Sequence, residues 1–112
     1  MADAFKEREK GYEAKFKMDA DRRFKVDSRR NRLIGEWAAS KLGLAGGAIG
    51  DYVKEVIRSD FEAPGLDDVV RKISADFAKN DVKISESDIR KEMDRLYGVA
   101  MEQVNKEFPA SL

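Results

Sequence analysis

Proline occurs only at Pro64 and Pro109 in 112 residues, and this scarcity most constrains the fold. An interior proline costs a helix about 3 kcal/mol. The long proline-free stretches are dense in Ala, Lys, Glu and Arg, all good helix formers. An all-helical chain follows, punctuated by glycine rather than proline. With 42% hydrophobic residues, one domain can build one core with little to spare.

Apolar spacing divides the chain into four amphipathic segments. Residues 19–42 form one long helix, with Phe24, Leu33, Ile34, Trp37, Ala38, Ala39 and Leu42 as its apolar positions. Gly35 inside it marks either a close helix approach or a tolerated surface glycine. Gly43, Gly46, Gly47 and Gly50 break the pattern. The second helix spans about 48–59, where Ile49, Tyr52, Val53, Val56 and Ile57 recur at helical spacing. Phe61 is expected to pack under the loop that follows.

Pro64-Gly65 ends that element. A third helix begins near Asp67 and turns Val69, Val70, Ile73 and Phe77 inward. Asp67 with Arg71 and Asp68 with Lys72 are expected as i,i+4 pairs. Ser85 then caps a fourth helix, with Asp88 reaching back as a short capping box and Ile84 and Ile89 as a hydrophobic staple. Ile89, Met93, Leu96, Tyr97, Ala100, Met101 and Val104 carry that helix to near Phe108. The expected fold is an all-α four-helix bundle, with Trp37, Ile49, Phe77 and Leu96 in its core.

Residues 1–18 read differently. Phe5, Tyr12 and Phe16 fall within roughly 40° of one another on a helix, and most other positions are charged. Gly11 costs such a helix about 1 kcal/mol relative to Ala. A segment of this kind is marginal alone and forms best against a partner. The expected organisation is a mobile N-terminal arm able to become helical (1–18), the bundle (19–108) and a short tail (109–112).

Composition excludes several chemistries. There is no Cys and no His, hence no thiol nucleophile, disulfide, thiolate metal site or imidazole switch. The carboxylates nearly all have Lys or Arg three or four residues away and form no catalytic pair. No catalytic residue, metal site or cofactor is expected. No apolar run reaches a membrane span and no signal-peptide region is evident, so a cytoplasmic, non-spanning protein is expected. The glycine run lacks both the dinucleotide spacing and the Gly-Lys-Ser/Thr ending of a phosphate loop.

Charge is unevenly placed. Residues 1–32 carry eleven Lys/Arg against seven Asp/Glu, a net +4, and the remaining eighty carry −4. Arg22, Arg23, Lys25, Arg29, Arg30 and Arg32 form a candidate docking patch. Spread around a helix, they cannot all meet one ligand, and zero net charge argues against nucleic acid. Weak nucleotide binding stays open, so a small helical sensor of nucleotide or another small ligand is the alternative function.

Three stretches resemble one family. They are Arg8-Glu9 with Tyr12-Glu13-Ala14-Lys15-Phe16, then Phe24-Lys25 through Arg29-Arg30-Asn31-Arg32-Leu33-Ile34-Gly35-Glu36-Trp37-Ala38-Ala39, and Ser59-Asp60-Phe61-Glu62-Ala63-Pro64-Gly65. Together they resemble the alphaproteobacterial zeta subunit, an inhibitor of the F-type ATP synthase. The C-terminal third matches mainly in pattern. The resemblance implies a four-helix bundle whose N-terminal region inserts at a catalytic alpha/beta interface, approaches the central rotor and blocks ATP hydrolysis. It implies a cytoplasmic protein held peripherally at the inner membrane through that enzyme. Phe5, Tyr12 and Phe16 would be the anchors, with Arg8, Glu9, Glu13 and Lys15 pairing with partner charges. The mitochondrial inhibitor protein acts similarly, but this chain lacks the histidines for an imidazole-based pH response.

Overall fold

A computed structural model describes residues 19–60 and 67–109. Among the described residues four helices run in chain order: α1 Ala20–Lys41, α2 Gly47–Asp60, α3 Asp67–Lys79 and α4 Glu86–Glu107. Neighbours in sequence pack together, and α4 closes the bundle against α1. The expected all-α four-helix bundle is the observed fold. The arm 1–18 and Phe61 lie outside the described residues.

Local chemistry sets the helix ends. Asp19 caps α1 by accepting from the Arg22 amide at 2.7 Å. Gly43 terminates it at φ +76°, a left-handed conformation that glycine adopts without steric cost. The Gly43 amide donates to Ser40 O at 3.1 Å and the Leu44 amide to Ala39 O at 3.0 Å. This is a Schellman motif, and Leu44 accordingly packs on the core. The same device ends α3 with Asp81 at φ 57° in place of glycine, while the Val82 amide donates to Phe77 O at 2.8 Å. Ser85 caps α4 through the Asp88 amide at 3.1 Å. Only that half of the expected capping box forms, because the Asp88 side chain is one methylene shorter than the usual Glu.

The main core joins all four helices. Ile34, Ala38 and Ala39 of α1 meet Tyr52 and Val56, Val69, Val70, Ile73 and Phe77, and Ile89, Met93 and Leu96. Trp37 and Ile49 are half-buried against it rather than fully enclosed. Trp37 meets Phe77 edge-on, with centroids 5.8 Å apart. Gly35 is a close-approach glycine: a Cβ there would stand 3.2 Å from Val53 Cα. Of its two sequence readings, helix contact is the correct one.

Two expectations need correction. Phe24 is not an inward position but is 64% exposed. The two middle helices are short, so the first turns of α1 pack on α4 through the row Arg22, Val26, Arg29 and Leu33, and Phe24 lies off that row. The expected pairs on α3 are replaced as well. Asp67 pairs with Arg90 of α4 at 2.9 Å, Asp68 with Arg71 at 3.5 Å, and Lys72 with Asp76 at 3.0 Å. Asp67 takes a tertiary partner, Asp68 an i,i+3 partner and Lys72 a different i,i+4 partner, because an i,i+4 preference worth only about 0.2–0.5 kcal/mol does not decide among available neighbours.

Candidate functional site

The arm's residues Phe5, Arg8, Glu9, Tyr12, Glu13, Lys15 and Phe16 lie outside the described residues. The described residues that follow that segment in the chain are the first half of α1, which packs on the last turns of α4.

Apolar burial here is thin. Val26, Ala100 and Val104 form a small satellite core, flanked by half-buried Leu33, Tyr97 and Met101. Polar bonds supply the rest. Arg22 donates from Nη1 to Asn105 Oδ1 at 2.8 Å and from Nη2 to the Phe108 carbonyl. The latter bond serves one of the carbonyls left orphaned at the end of α4, where a cation is also favoured by the helix dipole. Arg29 grips both carboxylate oxygens of Glu107, one at 2.6 Å, and also reaches Gln103 at 2.9 Å. These bonds hold the Glu107 carboxyl below the ordinary carboxylate range and raise Arg29 further. Lys25 pairs with Asp21 at 2.7 Å and stands over the Phe108 ring, 4.5 Å from its centre.

Arg30 turns the other way and is buried. It lies 3.7 Å from Asp27, 5.7 Å from the Tyr97 ring centre, and 3.1 Å from Asn31 Oδ1. Asn31, also buried, donates from Nδ2 to Asp60 Oδ2 at 3.0 Å. The Arg29-Arg30-Asn31 motif thus meets the start of the Ser59-Asp60 motif across α1 and α2. Two stretches that look like separate signatures in sequence are one polar connection in space.

The six cations of the docking patch therefore do not form one surface. Arg22 and Arg29 join α4, Arg30 points inward, and Lys25 is paired within its own helix. Arg23 and Arg32 are exposed. The inward course of Arg30 was available in the row Val26, Arg30, Ile34 and Ala38, whose four-residue spacing places it among core positions.

Two clefts remain. One, of about 370 Å³, lies between α1, α2 and α4 and contains Phe24, Ile57 and Phe108. The other, of about 480 Å³, lies between α2 and α3 and contains Arg58, Arg71 and Lys72 with Glu55 and Asp68. Its cations are largely committed: Arg71 to Asp68, and Lys72 to Asp76 and Glu55. Close by, Tyr52 donates to Asp76 at 2.8 Å. Burial first, then that hydrogen bond, pushes the Tyr52 phenol above its usual range. Among the described residues, no group of three or more Asp, Glu, His or Cys converges to hold a metal ion. No described helix is long and apolar enough to cross a membrane.

None of the curated proteins matches the chain. A family model described as ATPase inhibitor subunit zeta matches residues 1–103, a span that takes in the N-terminal segment, both polar motifs and nearly all of the bundle. The chain belongs to the ATPase inhibitor subunit zeta family.

Proposed function

We propose that residues 1–18 are an inhibitory arm that inserts at a catalytic alpha/beta interface of the F-type ATP synthase, approaches its central rotor and blocks ATP hydrolysis. Membership of the family makes the protein a regulatory, non-catalytic inhibitor associated with ATP synthase. The observation that carries the finer reading is the family match beginning at residue 1. It includes a segment whose spacing would set Phe5, Tyr12 and Phe16 on one narrow face of a helix. On this reading Phe5, Tyr12 and Phe16 are apolar anchors, and Arg8, Glu9, Glu13 and Lys15 pair with partner charges. The protein then works at the cytoplasmic side, peripheral to the inner membrane through the enzyme.

The energetics suit a tethered arm. Burying the three rings contributes about 1.5–3 kcal/mol each. Ordering roughly fifteen residues costs about 1–2 kcal/mol apiece in backbone entropy. Hydrogen bonds, ion pairs and delivery by a folded body must supply the difference, and a tether raises the arm's effective concentration. Arg23 and Arg32, exposed on α1, would steer docking on this reading. The test is hydrolysis by the cognate ATPase with full-length protein and with a chain lacking residues 1–18. Equal inhibition by the two would remove the arm's role.

A second reading, weak nucleotide binding, draws on the 480 Å³ cleft with Arg58 at its wall. NMR titration with ATP and ADP at physiological salt tests it. Saturable shifts at Arg58, Arg71 and Lys72 support it, and scattered, non-saturating ones eliminate it.

A further inference from the structure

We infer that the cleft between α1, α2 and α4 is a second contact site for the ATPase, one that takes an apolar side chain presented on an acidic surface. The inference rests on the proposed inhibitory complex, and concerns the folded body rather than the arm.

The largest apolar exposure converges here. Phe24 at 64% and Phe108 at 44% are the exposed large hydrophobic residues of the described chain, and both line this one cleft. Ile57 and Val104 complete an apolar floor. An exposed apolar floor rimmed by polar groups is a usual mark of a protein-interaction site.

The rim identifies the partner's chemistry. The charged side chains that line the cleft are Lys25, Arg29 and Arg32, with no acid among them. Lys25 and Arg29 are balanced by Asp21 and Glu107. Arg32 is exposed and forms no salt bridge among the described residues, although it also helps to hold the Glu107 carboxyl low; three cations against two acids leave the rim a positive excess. An acidic surface complements it.

Connectivity identifies the partner itself. Residue 18 joins α1 at its cap, Asp19, and Phe24 lies five residues on, roughly 8 Å along the helix. A surface that grips the chain up to residue 18 therefore passes within side-chain reach of the cleft. Two contacts on one chain make the inhibitor bivalent, so the body contributes to affinity as well as presentation.

The experiment measures ATPase inhibition by full-length wild type, Phe24→Gln, Phe24→Leu, Arg32→Glu and the chain lacking residues 1–18, each with its thermal unfolding and sedimentation. Phe24→Gln should raise the half-inhibitory concentration about tenfold with an unchanged melting temperature, since the ring packs little within the fold. Phe24→Leu should retain most of the potency. Arg32→Glu should weaken inhibition, and the loss should shrink as salt rises. If Phe24→Gln inhibits like wild type while the truncated chain does not, the second site is wrong and the arm stands. If the truncated chain inhibits fully and Phe24→Gln is weak, the arm is wrong and the cleft stands. Stronger inhibition by Arg32→Glu would overturn the acidic partner. A wild-type dimer that Phe24→Gln dissociates would make a second copy the occupant and overturn the inference.

Discussion

Replacing Asn31 with Ala tests the polar connection between α1 and α2 directly. Asn31 is buried, receives Arg30 through Nε at 3.3 Å and Nη2 at 3.1 Å, and donates to Asp60 at 3.0 Å. The two Arg30 contacts share one oxygen and count as a single interaction. Two hydrogen bonds to charged partners at about 1.5–3 kcal/mol each set an upper range of about 3–6 kcal/mol. Asp60 is only half-buried, so water recovers part of its loss. Arg30 is enclosed and keeps Asp27 at 3.7 Å as its remaining ion pair. A destabilisation of about 2–4 kcal/mol follows, which for a domain of this size lowers the melting temperature by about 10–20 °C. Urea and thermal unfolding followed by circular dichroism measure it, with the m-value expected to stay constant. Asp60→Asn, which keeps an acceptor, should cost less than Asn31→Ala. The double variant should be less destabilised than the sum of the two. A loss below about 0.5 kcal/mol for Asn31→Ala, within the range of an ordinary surface change, would refute the claim that this network ties α1 to α2.

Glycine offers a paired contrast. Gly98→Ala adds a methyl to open space in α4 and should stabilise by about 1 kcal/mol through helix propensity. Gly35→Ala gains the same propensity but drives its Cβ to 3.2 Å from a backbone atom of α2. Overpacking of about 1–3 kcal/mol should outweigh the gain, and a higher melting temperature would show that the helices separate freely. Stability should also fall at both pH extremes. Glu92 and Glu107 are held below their ordinary value of 4.5 by Arg95 and Arg29. Their contribution is fully present above that pH and lost as pH falls through the lower folded values. Tyr52 acts in the opposite sense: the unfolded phenol ionises near 10.0 while the folded one keeps its proton, so stability declines as pH rises past that value. With no histidine in the chain, denaturation midpoints should be level from about pH 5 to 8. A sharp change there would contradict the assignment of these groups.

The sequence by itself determined the helical class, the four segments and most of their ends. Scarce proline, glycine breaks and three- and four-residue apolar spacing act locally, within the reach of one or two helical turns. Asp19, Gly43 and Ser85 sit where capping chemistry alone requires them. The family was legible too, because its motifs are contiguous runs.

Tertiary structure decided which cations are available. Arg22, Lys25, Arg29, Arg30 and Arg32 look equivalent along the chain. Only the closure of α4 against α1 commits Arg22 and Arg29, encloses Arg30 and leaves Arg32 exposed. Phe24 is apolar at helical spacing, yet the short middle helices leave it largely uncovered, so it becomes surface on a cleft that Phe108 also lines. Gly35 acquires meaning only from Val53, and Asn31 only from Asp60. Such pairings depend on helix length and packing order, which bring together residues that no periodicity within a single segment can relate.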